Sequence, residues 1–238
     1  MFIKKQLLFR FLIGIMVGLF SVGCADNIIP TPIVVTLSVG ETDRSPFTGI
    51  PCVAPCWQGL EVGKSNEKDV LAVLQTLTFI NQDSIQVSHT SMPSIDGTYA
   101  PGVIIVAECA NSSDECLTLR VVDDILTRIV IKLNYEINQN EAIEALGNPD
   151  YVGTQQLGVR VICEVYLIWN NSNLVLASRF EGIQGSDEVE KNCDVVFSSG
   201  KIPSDFVIEE VRYLSDAELS ALLRGSGNFF EYTGTTSD

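Results

Sequence analysis

Residues 103–133, VIIVAECANSSDECLTLRVVDDILTRIVIKL, hold three strands in a row. Val103–Cys109 is apolar and partly β-branched, and Cys116–Val122 alternates, with Leu117, Leu119 and Val121 on one side. Asp123-Asp124 forms a turn, and Ile125–Leu133 follows as the third run. Period-two alternation between turn residues marks antiparallel strands with one buried face. Cys109 and Cys116 bracket the loop Ala110–Glu115, so a bridge between them staples the first hairpin.

Before this meander stands a helix. Ser65 or Asn66 caps it, and Val70, Leu71, Leu74 and Leu77 repeat at helical spacing to give one apolar face. A strand-like stretch, 84–90, and turn chemistry at 92–97 lead into the meander. After it the plan begins again. Asn138 caps a helix carrying Ala142, Ile143, Ala145 and Leu146, and Gly147-Asn148-Pro149-Asp150 ends it. Strands are predicted at Val159–Trp169, Asn173–Phe180, Cys193–Ser198 and Phe206–Leu214. A third helix spans 216–224, with Ser215 and Glu218 in capping-box positions. Residues 66–74 overlay 138–146 at an offset of 72. A helix cannot bury its apolar face alone and needs a sheet to cover. The order of elements therefore predicts an α+β fold of two similar helix-plus-antiparallel-meander modules, with the helices packed on one sheet face and disulfides stapling it.

The chain has 238 residues with 15 Lys and Arg against 30 Asp and Glu. An acidic surface of this kind disfavours nucleic acid and anionic lipid heads, which demand Lys/Arg patches. Seven cysteines occur. Cys52, Cys56, Cys109, Cys116, Cys163 and Cys193 form an even set, read as a framework pairing sequence neighbours: Cys52–Cys56, Cys109–Cys116 and Cys163–Cys193. His89 is the only histidine and no CxxC occurs, so no metal centre and no cofactor are expected.

The N-terminus places the protein. Lys4 and Lys5 precede an apolar run that Arg10 interrupts, and Phe11–Val22 is only twelve residues long. A membrane span needs about 20, whereas twelve fits the apolar region of a cleaved signal. With Gly23-Cys24 after it, the segment resembles a bacterial lipoprotein signal, with Ser21 where Leu is usual. The resemblance implies removal of residues 1–23, and a diacylglycerol thioether and acyl chain on Cys24. Two or more chains anchor stably where one does not. Without Lys4, Lys5 and Arg10 the remaining chain has 12 basic and 30 acidic residues, a formal charge of −18. The expected organisation is signal 1–23, lipidated cysteine and tether 24–51, first module 52–134, second module 135–214, and C-terminal helix and tail 215–238. Ile33–Leu37 within the tether has the composition of an edge strand.

The short helix ending in Ala145-Leu146-Gly147-Asn148-Pro149-Asp150, followed by a meander, resembles small outer-membrane-assembly lipoproteins of the SmpA/BamE type. It also resembles the tandem-repeat β-lactamase inhibitor proteins. In both, helices pack on one face of an antiparallel sheet, and both are binding proteins, not enzymes.

No GxSxG, SxxK, HExxH or P-loop occurs. Asp123-Asp124 sits on a predicted turn, and Asp187, Glu188 and Glu190 lack EF-hand spacing. No catalytic residue is named. The expected function is a non-enzymatic, lipid-anchored binding module of the cell envelope with an envelope protein as partner. The alternative is a carboxylate-based hydrolase of cell-wall or extracellular polymer. Trp57, Phe229 and Phe230 are the candidate partner-binding residues. Trp57 also reads as a core lid locked by the Cys52–Cys56 loop, and the tail aromatics as packing back on the domain.

Overall fold

In a computed structural model of the chain, the residues described are 43–94, 98–157, 162–181, 202, 206–225 and 227–232. The three strands read from the opening stretch form as β4 (Tyr99–Glu108), β5 (Glu115–Val122) and β6 (Ile125–Lys132). Asp123 and Asp124 alone join β5 to β6, and both have positive φ, 53° and 59°. Two left-handed residues make the turn whose twist matches that of the flanking strands. The register then pairs Leu119 with Ile129 and Leu117 with Ile131, putting the apolar residues of both strands on one face.

β3 (Gln86–Pro93) pairs with β4 and completes a four-stranded meander, β3-β4-β5-β6. A second meander contains β7 (Tyr151–Leu157), β8 (Ile162–Trp169), β9 (Leu174–Glu181) and β10 (Glu210–Leu214). The last strands of the two meanders, β6 and β10, pair antiparallel with Val211 opposite Ile131 and Tyr213 opposite Ile129. A short strand β11 (Asn228–Glu231) adds beside β7. One antiparallel sheet of nine strands results, in the order β11-β7-β8-β9-β10-β6-β5-β4-β3.

Two helices precede the meanders. α2 (Glu67–Leu74) and α3 (Gln139–Leu146) follow a one-turn helix α1 (Ser45–Thr48). Asn66 caps α2, accepting from the Asp69 amide while Asp69 accepts from the Asn66 amide. Asn138 and Glu141 make the same reciprocal pair at α3. Each box satisfies two amides that a helix start otherwise leaves unpaired. Val70 and Leu74 of α2 and Ala142 of α3 enter one large core with the sheet residues Ile105, Leu119, Leu176 and Val211.

The sheet corrects the expectation that helices lie on one face. α4 (Asp216–Arg224) places Leu219 on a second, smaller core made by Tyr166, Ile168, Val175, Ala177 and Leu214. Along β8, Val165 and Leu167 face the large core while Tyr166 and Ile168 face the small one. Since neighbouring residues of a strand point to opposite faces, α4 covers the face that α2 and α3 do not.

Other expectations also shift. Tyr151–Leu157 was not expected as a strand; with Gly153, Gln155 and Gln156 it lacks an apolar run. Gly153 lies opposite Phe229 in the β11 register, and a Cβ there would sit 2.2 Å from that ring. The expected strand Phe206–Leu214 is ladder only from Glu210; Val207 instead bridges Asn138, and the Ile208 amide donates to the Ile137 carbonyl. The end of the expected tether belongs to the folded body, with Pro46 buried and Phe47 against the large core. Ile33–Leu37 and Cys193–Ser198 lie outside the described residues.

Two bridges form as the spacing predicted, Cys52–Cys56 and Cys109–Cys116, with Cα atoms 5.7 and 5.0 Å apart. Cys163 is buried and disulfide-bonded, and its expected partner Cys193 lies outside the described residues. Next to the first bridge, β1 (Cys56–Trp57) and β2 (Leu60–Glu61) form a two-stranded ribbon that delivers Trp57 into the large core at 1% exposure. The buried Asp43 carboxylate accepts the Trp57 indole N–H at 2.7 Å and the Ser45 amide at 3.0 Å. The Tyr135 hydroxyl donates to the Asp43 carbonyl at 3.0 Å. Burial and the Asp43 charge raise the Tyr135 pKa, so the phenol stays protonated as that donor.

Trp57→Phe keeps most of the ring but removes the donor to a buried carboxylate. Urea unfolding with the bridges intact should show a loss of about 1–3 kcal/mol. A loss below a few tenths would mean that Asp43 is solvated rather than locked.

Candidate functional site

The face carrying α4 gathers the charged side chains that the core excludes. On β8, alternation sends Cys163, Val165 and Leu167 into the large core and leaves Glu164 and Tyr166 on the opposite side. Glu164 is 3% exposed. Its cross-strand partner on β9 is Arg179, whose Nη2 donates to Glu164 Oε1 at 2.6 Å. Arg212, on β10, donates through Nη2 to the same oxygen at 3.2 Å and through Nη1 to Oε2 at 3.3 Å. Tyr166 donates its hydroxyl to Glu164 Oε2, and Arg212 also pairs with Glu210 at 2.6 Å.

Burial alone would push the Glu164 carboxyl up. The Arg212 charge, with hydrogen bonds from Arg212, Tyr166 and Arg179, outweighs it and brings the pKa down to about 2. Glu164 is therefore a fixed anion at any pH near neutrality. Burial and the hydrogen bond to Glu164 raise the Tyr166 pKa, so the phenol remains a donor. Arg212 also stacks over the Tyr166 ring, 5.6 Å from its centroid, and Phe229 lies on that ring at 6.1 Å.

A second cluster lies on β5 and β6. Arg120 and Arg128 are direct cross-strand partners, an arrangement that like charges disfavour. Glu218 of α4 resolves it, accepting from Arg128 Nε at 2.5 Å and from Arg120 Nη1 and Thr127 Oγ1 at 3.3 Å each. This alters the capping box expected at 215–218. Ser215 Oγ accepts from the Glu218 amide, but the Glu218 carboxylate turns to the two arginines, and the Ser215 amide bonds the Thr127 carbonyl instead. Between α4 and the sheet a groove of about 970 Å³ runs past both clusters.

Of the residues singled out in the sequence, Phe229 lies on the Tyr166 ring and Asp123 lines the groove. Trp57 is buried and offers no exposed anchor in this conformation. Phe229 packs back, while Phe230 is 37% exposed on β11. His89 lies on the edge strand β3, its Nε2 3.9 Å from the Glu67 carboxylate. Asp123 and Asp124 occupy the hairpin turn. Cys24, Cys193, Asp187, Glu188 and Glu190 lie outside the described residues. Sequence reasoning missed Glu164, Arg179, Arg212 and Glu218. One signal was available: Glu164 is a lone charge in the apolar strand Ile162–Trp169.

Comparison with known protein families, with characterised proteins and with solved structures finds no match. Among the described residues no helix is long and apolar enough to cross a membrane, and no three His, Cys, Asp or Glu side chains converge as a metal site. The bridges are of the kind that an oxidising compartment sustains.

Glu164→Gln leaves Arg179 and Arg212 without their shared counter-charge and should cost about 3 kcal/mol. Because the folded-state pKa of Glu164 lies below its ordinary value of 4.5, its contribution is complete above about pH 4.5. It is lost as pH falls toward 2, on the order of 3 kcal/mol in all. Unfolding across that window should be steep in the parent protein and flatter in Glu164→Gln. Equal acid dependence in the two would remove the carboxylate from this role.

Proposed function

We propose that the chain is an extracytoplasmic binding protein, held to a bacterial membrane through a lipidated Cys24 and presenting its sheet to a partner in the cell envelope. The observation that carries this reading is a half-buried strip on the α4 face. Ile104, Val106, Thr118 and Val130, on adjacent strands, are only half-buried. Among the described residues none of them joins either apolar core. A strip of Ile104, Val106 and Val130, broken only by Thr118 and rimmed by arginines, has the composition of an interaction surface rather than of a solvated sheet.

The two meanders are read here as similar modules, each a capped eight-residue helix followed by four strands. Asn66 and Asp69 stand 72 residues before Asn138 and Glu141, and α2 stands 72 before α3, in support of that reading. The antiparallel β6–β10 pairing joins the two meanders side by side in one sheet. A broad face built this way fits recognition of another protein, as the resemblance to tandem inhibitor modules implies.

The electrostatics weigh against a carboxylate hydrolase. That chemistry needs one carboxyl kept protonated near neutral pH beside one that is ionised. Glu164, the most buried carboxylate of the groove, is driven the opposite way.

A photoreactive amino acid at position 130 should cross-link one envelope protein in cells. The same residue at position 207, exposed elsewhere on the chain, should not, and the adduct should vanish in Cys24→Ser. No adduct from position 130, or turnover of an envelope polymer abolished by Glu164→Gln, would contradict the reading.

A further inference from the structure

Four of the six arginines among the described residues, Arg120, Arg128, Arg179 and Arg212, lie on one sheet face across four adjacent strands. Three carboxylates, Glu164, Glu210 and Glu218, pair with them. The belt is left one positive charge in excess, on a chain whose formal charge is −15. The groove beside α4 is lined by Lys64, Arg120, Arg128, Arg212 and Arg224, matched by five carboxylates. It is therefore a surface where the general repulsion of anions is lifted.

Donor accounting separates these cations. Arg120 has a partner on each of its three nitrogens, Nε on Met92 Sδ and the terminal two on Glu218 and the Pro93 carbonyl. Arg212 is committed to Glu164 and Glu210. Arg128 bonds Glu218 through Nε alone; among the described residues its two terminal nitrogens have no partner, and the side chain is 41% exposed. Glu218 holds this guanidinium in place and leaves its outer fork open. A planar fork with two parallel N–H groups matches a carboxylate. From Arg120 on β5 to Glu164 on β8 the lining crosses five strands, about 19 Å, the reach of about six extended residues. That is too long for one small anion.

We infer that the groove takes an extended, carboxylate-bearing peptide segment of the partner, with Arg128 as its anchoring fork. This deepens the binding reading and rests on it. The segment's carboxylates meet Arg128 and the groove's outer cation Arg224, and its backbone crosses the strands along the α4 wall.

The test is calorimetric titration of the purified full-length protein, in neutral detergent, with an end-blocked peptide of alternating Glu and Ser, about eight residues long. Its twin with Gln for Glu is the control. The Glu peptide should bind, the Gln peptide should not, and affinity should fall from low to high salt. Arg128→Gln should weaken binding at least about tenfold. Arg224→Gln, whose side chain donates to the Ser220 carbonyl of its own helix, should weaken it less and leave the fold intact. Equal binding of the two peptides, binding of neither, or an unchanged affinity in Arg128→Gln would overturn the inference. A partner cross-linked from position 130 by a protein that ignores the Glu peptide would overturn it too, while sparing the broader reading.

Discussion

The pairing of β6 with β10 is the constraint on which the rest of the structure depends. Each meander alone would end in an unpaired strand edge, a liability that sheets otherwise cover or charge. Joining the two last strands removes both edges at once. The seam also makes the core continuous: Ile129 and Ile131 of β6 and Val211 and Tyr213 of β10 belong to the same buried cluster as the helix residues Val70, Leu74 and Ala142. Five residue pairs set the register, and a slip by one would turn Val211 and Tyr213 outward.

The same seam aligns the charges. With β10 beside β6, Arg212 lies opposite Val130 and next in line to Arg128 and Arg120. α4 then folds over the second face from Ser215, directly after β10, and brings Glu218 onto both β-strand arginines. Replacing buried ion pairs by well-packed apolar residues is often neutral or stabilising. Stability alone thus gives little reason for a row of arginines and their carboxylates on a sheet face. Under the proposed reading, the pairs are held for recognition, and the low pKa of Glu164 keeps the arrangement charged and static.

Local rules made much of the fold legible. The Asp123-Asp124 turn, the alternation of Leu117, Leu119 and Val121, the Asn66 and Asn138 caps and the close cysteine pairs are all short-range signals, and each appears in the structure. The order of strands across the seam was not legible, because β6 and β10 are far apart in sequence. Tyr151–Leu157 carries too little apolar pattern to announce a strand; Phe229, far along the chain, supplies the ring that Gly153 lacks. The charged face was the least legible part. Glu164, Arg179, Arg212 and Glu218 come from three strands and a helix, and no spacing rule links them. Trp57 was ambiguous because an aromatic beside a disulfide loop fits a lid or an anchor; in the structure it is buried, with its indole N–H on the Asp43 carboxylate.

The most direct test of this account is native-state hydrogen exchange on β6 and β10. If the seam unites the molecule, amides of 129–131 and 211–213 should exchange only through global unfolding, with one free energy shared by the centres of both meanders. Two separate free energies, with β10 opening while β6 stays protected, would show that the halves fold independently and that the continuous charged face is not a fixed feature of the protein.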